Sequence, residues 1–253
     1  MKISDFKFGL PSKGRLYKSS VDWLKICGLH VEASAGGRKY GSHLNGIEGV
    51  SISLLPASEI PKALSSGLIH LGITGQDLLR EKIPYWSQSI SELSLLGFGR
   101  ASLVLAVPNF WVDVESLDDF DSVAIRFRKS HGFRLRIATK YHNLVWNYLR
   151  KMGVADYQLV DSQGATEGSI KNLAAEAIAD ITSTGKTIKE NNLKVIGEPI
   201  LNSEGTLFLS KRASWSEEQL KIFEDFCFKV NIDGKKFLDS YKTPNLTSST
   251  WRL

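Results

Sequence analysis

The chain has 253 residues, 42% hydrophobic and 23% charged, which is enough for one large domain or two compact lobes with their own cores. This composition, with 21 glycines and 2 cysteines, excludes collagen-like, disordered and disulfide-stapled classes. The 32 Lys+Arg against 27 Asp+Glu leave a net charge of +5, a mild excess that suits polyanionic small substrates or nucleic acid without deciding between them.

Short apolar runs alternate with amphipathic stretches along most of the sequence. Phe6–Leu10 reads as a strand, and Leu16–Cys27 as a helix closed by a left-handed Gly28. Val50–Leu55 is a strand. Ser58 is positioned to cap a short helix with Pro61 in its first turn and Gly67 at its end. Leu68–Ile73 is a strand followed by a helix from about Gln76. Leu103–Pro108 and Arg136–Thr139 are strands, the second leading into a helix over His142–Met152. Ile178–Thr182 is a strand before a helical turn from Thr187 to Asn191, and Lys194–Ile200 and Thr206–Leu209 complete the pattern. Ser216–Asn231 is a helix whose Ser216 and Gln219 form a capping box, and the polar residues 235–253 are expected to be partly disordered unless they dock on a partner.

Alternating strand and helix predicts an α/β architecture with mainly parallel sheets. Gly97-Phe98-Gly99 and the run after Val107 read as a hinge, which gives a discontinuous lobe I of residues 1–105 and 190–253 and a lobe II of 106–189. The first residues lack the apolar core of a signal peptide and no stretch approaches a membrane span, so a cytoplasmic location with reduced Cys27 and Cys227 is expected. The basic stretch Arg126–Arg136 shows neither aromatic interleaving nor zinc spacing, and reads as a solvated loop face or as an anion or subunit contact. His30, His43, His70, His131 and His142 share no spacing and are read as structural or surface residues.

Three strand-to-helix junctions share one chemistry. They are Pro11-Ser12-Lys13-Gly14-Arg15, Thr74-Gly75-Gln76-Asp77 and Thr182-Ser183-Thr184-Gly185-Lys186-Thr187. In open α/β sheets such junctions lie at the carboxyl ends of the strands, where unpaired N–H groups favour anions and glycine admits a phosphate. The third carries the densest signal: hydroxyls and amides suited to three phosphate oxygens, behind Asp180, whose carboxylate suits sugar hydroxyls. Its spacing is not that of a nucleoside-triphosphatase P-loop. The plain alternatives are a Ser/Thr-rich helix cap for the third junction, a solvated basic turn around Lys13 and Arg15, and an Asp77 that caps its own helix.

Six ordered segments carry a family resemblance: LPSKGRL (10–16), GITGQDLLRE (72–81), LGFGRASLVLAVP (96–108), LRIATKY (135–141), GATEG (164–168) and ADITSTGKT (179–187). From about Phe8 to Lys211 the chain resembles the short form of the bacterial ATP phosphoribosyltransferases, which open histidine biosynthesis. The resemblance implies a two-lobed fold like that of type II periplasmic solute-binding proteins with a central cleft. It also implies displacement of pyrophosphate from 5-phosphoribosyl 1-diphosphate by N1 of ATP, with Mg2+ carried by the substrate phosphates rather than by protein ligands.

Carried over residue by residue, Asp180 and the loop Thr182, Ser183, Thr184, Gly185, Lys186 and Thr187 resemble the grip on the ribose and its 5-phosphate. Glu167 resembles a carboxylate on the same sugar, Lys13 and Arg15 resemble contacts to pyrophosphate or the ATP phosphates, and Arg38 resembles an arginine near the nucleotide. Thr74 and Asp77 match a motif beside that nucleotide. Glu167, Asp180, Lys13 and Arg15 would then answer the charges that develop as diphosphate leaves an oxocarbenium-like ribose. A histidyl-tRNA-synthetase-like regulatory subunit is implied as partner in a homo- or hetero-oligomer, without nucleic acid or membrane.

The chain departs from the family at Ser169-Ile170-Lys171-Asn172-Leu173, where Ala-Pro and a glycine are usual, and at Pro56-Ala57-Ser58-Glu59-Ile60, where an arginine often precedes the acidic dipeptide. The competing readings are a bilobal anion or solute receptor, a phosphoribosyltransferase for another base, and an inactive homologue.

Overall fold

Elements form where the apolar pattern and the connection lengths allow. The computed structural model describes residues 6–33, 42–162, 166, 168–235 and 237–238. In chain order it holds β1 (Phe6–Pro11), α1 (Gly14–Ile26), β2 (His30–Ala33), β3 (Ser42–Asn45), β4 (Val50–Leu55), α2 (Ile60–Ser65), β5 (Leu71–Gly75), α3 (Gln76–Lys82) and β6 (Ile90–Leu95). Then come β7 (Ala101–Pro108), α4 (Leu117–His131), β8 (Leu135–Thr139), α5 (His142–Lys151), β9 (Tyr157–Asp161) and α6 (Gly168–Lys171). β10 (Ala177–Thr182), α7 (Lys186–Glu190), β11 (Leu193–Ser203), β12 (Gly205–Ser210) and α8 (Glu217–Lys229) follow.

These elements form two compact units. Unit 1 takes residues 1–74, 85–96 and 206–253, and unit 2 takes 75–84 and 97–205. The chain passes into unit 2 at Gly97, within the glycine-rich segment read as a hinge. The expected boundaries at 105 and 189 differ from these because β7 and β11 pair from Ala101 with Ser203 to Pro108 with Leu193, and cutting there would sever that ladder. Residues 75–84 also belong to unit 2, since α3 is bonded to the end of β11 and the start of α5.

Unit 1 is built on a seven-stranded sheet in the order β2-β3-β4-β1-β5-β12-β6. β1 lies inside it with Phe6, Phe8 and Leu10 fully buried, and pairs in parallel with β4 and β5. The flanks are antiparallel: β2 with β3, β3 with β4, and β12 with β6. Residues 46–49 between β3 and β4 are too few for a crossover, so only an antiparallel turn is open to them. This sheet is therefore mixed, with parallel strands inside and antiparallel strands beside them.

Unit 2 carries a five-stranded sheet in the order β11-β7-β10-β8-β9. β8 pairs in parallel with both β9 and β10, while β7 runs antiparallel to β10 and β11. Leu103, Leu105 and Val107 pack with Phe120 and Ala124 of α4 and Val145 and Leu149 of α5, whereas Val104 and Ala106 pack on the other face with Ile178, Ile188 and Leu193. Both faces are thus covered, as the period-two alternation of β7 requires.

Local signals explain the helix ends. Ser216 and Gln219 form the expected capping box on α8, and Gly28 and Gly67 take positive φ after α1 and α2. Ser58 does not cap α2: Glu59 occupies the N-cap with no side-chain bond. α4 was not expected, yet Ser116 and Asp119 cap each other at its start, and Gly132 ends it with φ +78. The basic stretch accordingly lies on the last turns of α4 and the start of β8, where Arg128 pairs with Asp156 and Arg136 with Glu176. Residues 239–253 lie outside the described residues, and so does the expectation about the tail. Among the described residues no helix is long and apolar enough to cross a membrane.

His70 shows how unit 1 uses a polar core residue. Its ring stacks on Phe6 with centroids 4.9 Å apart, Nδ1 accepts the Lys7 N–H at 3.0 Å, and Nε2 donates to the Ser214 carbonyl at 2.9 Å. Burial pushes its pKa below the ordinary histidine value, a shift the Ser214 carbonyl opposes and Lys7 adds to. The unfolded chain then binds the extra proton first, so stability contributed by neutral His70 is complete above the unfolded histidine pKa of about 6.5 and is lost as pH falls below it. Urea denaturation should show the chain less stable at pH 5.5 than at 7.5, with a shallower pH slope in His70→Gln; equal slopes would contradict this assignment.

Candidate active site

The parallel strands of unit 2 bring their carboxyl ends to one edge. β8 ends at Thr139 beside Ala179 of β10 and Asp161 of β9, so Lys140, Tyr141, Ser162, Asp180 and Thr182 follow at the same level. β11 runs alongside in the same sense, and its last residue, Ser203, reaches this edge too. Strand-end edges of this kind are where α/β proteins place ligands.

The third junction forms a shaped loop. Gly185 N–H donates to Thr182 Oγ1 at 2.8 Å, and Lys186 N–H donates to Thr184 Oγ1 at 3.4 Å. Gly185 sits at φ +71, a conformation that strains any residue with a Cβ. Beyond it, buried Ile188 anchors α7 on the apolar face of the sheet. Ser183, Thr184, Lys186 and Thr187 are exposed, and Thr182 and Gly185 are half-buried. No described acceptor takes the N–H groups of Ser183, Thr184 or Thr187. Lys186 makes only a surface pair with Glu190, at 3.7 Å. Asp180, also half-buried, accepts the N–H of Ile181 on Oδ1 at 2.8 Å.

Behind this edge lies a buried polar network. Asp77 accepts from Ser203 Oγ at 2.7 Å and from the Tyr141 hydroxyl at 3.1 Å, while its own N–H donates to Ser203 Oγ at 3.1 Å. Asp77 therefore does not cap α3. A Cβ on Gly75 would collide with Asp77 Oδ1, so the Gly-x-Asp spacing lets the carboxylate fold back under the strand end. One turn later, buried Glu81 accepts the N–H groups of Asn143 at 3.2 Å and Leu144 at 3.0 Å, closing the otherwise unpaired start of α5. Burial, reinforced by Asp77 and then by Asp180 and Glu81, pushes the Tyr141 hydroxyl far above its ordinary pKa, so it remains a neutral donor. Thr139 Oγ1 accepts the Tyr141 N–H at 3.0 Å, and Ser162 bonds Thr166 at 2.8 Å.

In unit 1, Lys13 occupies the N-cap of α1 and Gly14 takes φ +84, leaving Lys13 and Arg15 exposed with no ion pair to a described residue. Ser12 N–H donates to Leu55 at the end of β4, and fully buried Thr74 donates its hydroxyl to Ala57 at 2.9 Å. The unusual Pro56–Ser58 run is thus tied to Thr74, whose hydroxyl serves the scaffold. Glu167 and Arg38 lie outside the described residues. The departing run 169–173 supplies most of the short α6 and the turn after it, and that turn is held by Arg136, which bonds the Leu173 carbonyl and pairs with Glu176.

Sequence reasoning gave no role to Tyr141 or Ser203. Tyr141 stands inside the quoted LRIATKY segment, whereas no local pattern marks Ser203, which meets Asp77 across 126 positions. Cys227 is no nucleophile, because burial, with Asp233 and Glu224, pushes its thiol up to about 12. Among the described residues no group of three or more His, Cys, Asp or Glu side chains could hold a metal ion.

Tyr141→Phe and Ser203→Ala should each lower the unfolding free energy of unit 2 by about 1–3 kcal/mol by leaving the buried carboxylate short of a donor. In a urea-denaturation double-mutant cycle the losses should couple by at least about 0.5 kcal/mol, and strict additivity would show that the three groups do not form one network.

The family model described as HisG: ATP phosphoribosyltransferase matches residues 56–229. An ATP phosphoribosyltransferase from Cereibacter sphaeroides is 54% identical over 212 residues, covering 83% of this chain and 90% of that protein. Among solved structures, one from the ATP phosphoribosyl transferase (HisG:HisZ) complex of Thermotoga maritima aligns with a TM-score of 0.67 at 22% identity, over 89% of this chain and 96% of that one. The structure described as the probable amino-acid ABC transporter extracellular-binding protein of Bacillus subtilis aligns at 0.50 and 12% identity over 94% of each chain, a likeness of fold alone. With the family model spanning residues 56–229 and this degree of identity in agreement, the chain belongs to the ATP phosphoribosyltransferase family.

Proposed function

We propose that the chain is the catalytic subunit of a short-form ATP phosphoribosyltransferase. It joins N1 of ATP to the anomeric carbon of 5-phosphoribosyl 1-diphosphate, and phosphoribosyl-ATP and pyrophosphate are released at the first step of histidine biosynthesis. The observation that carries this reading is the Thr182–Thr187 loop, with N–H groups and hydroxyls exposed behind Asp180 in a chain of this family.

In this reading the amides of Ser183, Thr184 and Thr187 take the 5-phosphate oxygens, and Asp180 takes the ribose hydroxyls. As the carbon–oxygen bond to diphosphate breaks and the carbon–nitrogen bond to adenine forms, positive character grows on the ribose and negative charge on the leaving group. Asp180, with Glu167, answers the first, and Lys13 and Arg15 answer the second. The adenine nitrogen is itself the nucleophile, so positioning supplies most of the acceleration and no covalent enzyme intermediate is needed. Tyr141 stays protonated and holds Asp77 in place rather than acting as a base.

Mg2+ would accompany the substrate phosphates as their counter-ion, and no step is routed through a protein-bound ion. A synthetase-like regulatory subunit of the HisZ type, hetero-oligomer formation and a cytoplasmic location complete the proposal; the Thermotoga maritima structure is titled as such a complex.

The purified chain, with and without a HisZ-type subunit, should form phosphoribosyl-ATP from ATP, phosphoribosyl diphosphate and magnesium, read by product absorbance and pyrophosphate release. No product in either condition would end the proposal. Asp180→Ala and Thr184→Ala should weaken phosphoribosyl diphosphate by about tenfold or more while changing the ATP constant far less. Equal weakening of both substrates would assign the loop another role.

A further inference from the structure

Unit 2 carries a depression at the opposite end of its parallel strands. It is a groove of about 580 Å3 whose lining includes Arg134, Trp146, Arg150, Gly153, Tyr157 and Gln158. We propose that this groove binds a planar aromatic anion of the purine nucleoside monophosphate class.

Position separates it from the candidate active site. Arg134 immediately precedes β8 and Tyr157 opens β9, whereas Asp180 and the phosphate loop follow the carboxyl ends of the same parallel set. Five-residue strands rising about 3.3 Å per residue put roughly 13 Å between the two ends.

The charge is one-sided. No carboxylate lines the groove. Asp156 beside it is shared by Arg128, in close contact, and by Arg134 at 3.9 Å, so two guanidiniums face a single carboxylate. Arg150 makes no ion pair with a described residue. Its guanidinium instead lies 5.0 Å from the centroid of the Trp146 ring, one turn earlier on α5. Planar guanidinium forks suit phosphate oxygens.

The groove also offers an apolar flat surface. Trp146 remains 46% exposed although it is a large aromatic residue, so apolar ring surface stays available beside the Arg150 guanidinium that lies over it. Burial raises the Tyr157 hydroxyl pKa while Arg134 opposes that shift, so the hydroxyl is a neutral donor beside the exposed Gln158 amide. The volume falls within the range of about 300–1,000 Å3 common for small-molecule sites. A second copy of the chain docked here through a two-fold axis would bring two patches without lining carboxylates, each carrying Arg134 and Arg150, face to face, so the charge favours an anion as occupant over self-association.

Isothermal titration of the full chain with guanosine 5′-monophosphate tests the proposal, with guanosine and inorganic phosphate as arms for ring and charge alone. The expected result is a Kd below about 1 mM for the nucleotide and binding at least about tenfold weaker for either arm. Trp146→Ala and Arg150→Gln, both at exposed positions, should each weaken the nucleotide by about tenfold or more, and Arg150→Lys should recover only part of the loss. Asp180→Ala and saturating phosphoribosyl diphosphate should leave this binding unchanged. Failure to bind, binding that survives both groove substitutions, or binding abolished by Asp180→Ala would each overturn the assignment. Because the readout is binding rather than turnover, its failure is distinguishable from failure of the proposed transferase activity.

Discussion

A carboxylate with little access to water must be surrounded by donors, and Asp77 meets that constraint with hydroxyls drawn from two distant parts of the chain. The Ser203 hydroxyl comes from the end of β11, the Tyr141 hydroxyl from the entrance to α5, and the Asp77 main-chain N–H returns to Ser203. Glu81, one turn further along α3, then fixes the first N–H groups of α5. Two acidic residues at i and i+4 on one short helix therefore orient the strand-to-helix link Thr139–Tyr141. That link sits at the level of Asp180. Remove either hydroxyl and the carboxylate is left short of a partner in a site that admits little water.

The loop at residues 182–187 follows the opposite rule. At Asp77 the polar groups consume one another, whereas at residues 182–187 only two N–H groups are spent inside the loop, those of Gly185 and Lys186. Those two bonds, the left-handed Gly185 and the buried Ile188 set the backbone before any ligand arrives, and the Ser183, Thr184 and Thr187 N–H groups have no described acceptor. A loop shaped in advance loses little entropy on binding an anion, which is the condition under which positioning accelerates a displacement. Rigid support behind and unspent donors in front are complementary parts of one arrangement.

Much of this was legible in the sequence because it is local. Gly185 among hydroxyl residues behind an aspartate announces a tight strand-to-helix loop, Ser216 with Gln219 announces a capped helix, and Gly28 marks a helix end. Asp77 was legible as a marked residue but not as a support, because its partners at 141 and 203 are brought to it only by the sheet. Ser203 sits where two strands meet in sequence, and nothing nearby distinguishes it. The mixed sheets were missed for a related reason: alternation of strand and helix marks the parallel centre, while the short antiparallel β2, β3 and β6 carry weak apolar patterns. α4 shows the reverse case, since its Ser116–Asp119 box was readable and was overlooked among charged residues.

Whether the carboxyl-end edge of unit 2 holds ribose phosphate is tested most directly residue by residue on the amides themselves. A titration of the isotopically labelled full chain with ribose 5-phosphate, followed by amide chemical shifts, isolates that contact from ATP, metal and turnover. Saturable shifts concentrated at Ser183, Thr184, Gly185 and Thr187, with smaller ones at Asp180 and Tyr141, are the expected result of such a contact. Saturable shifts confined to other strands, with the 182–187 amides unmoved, would contradict it.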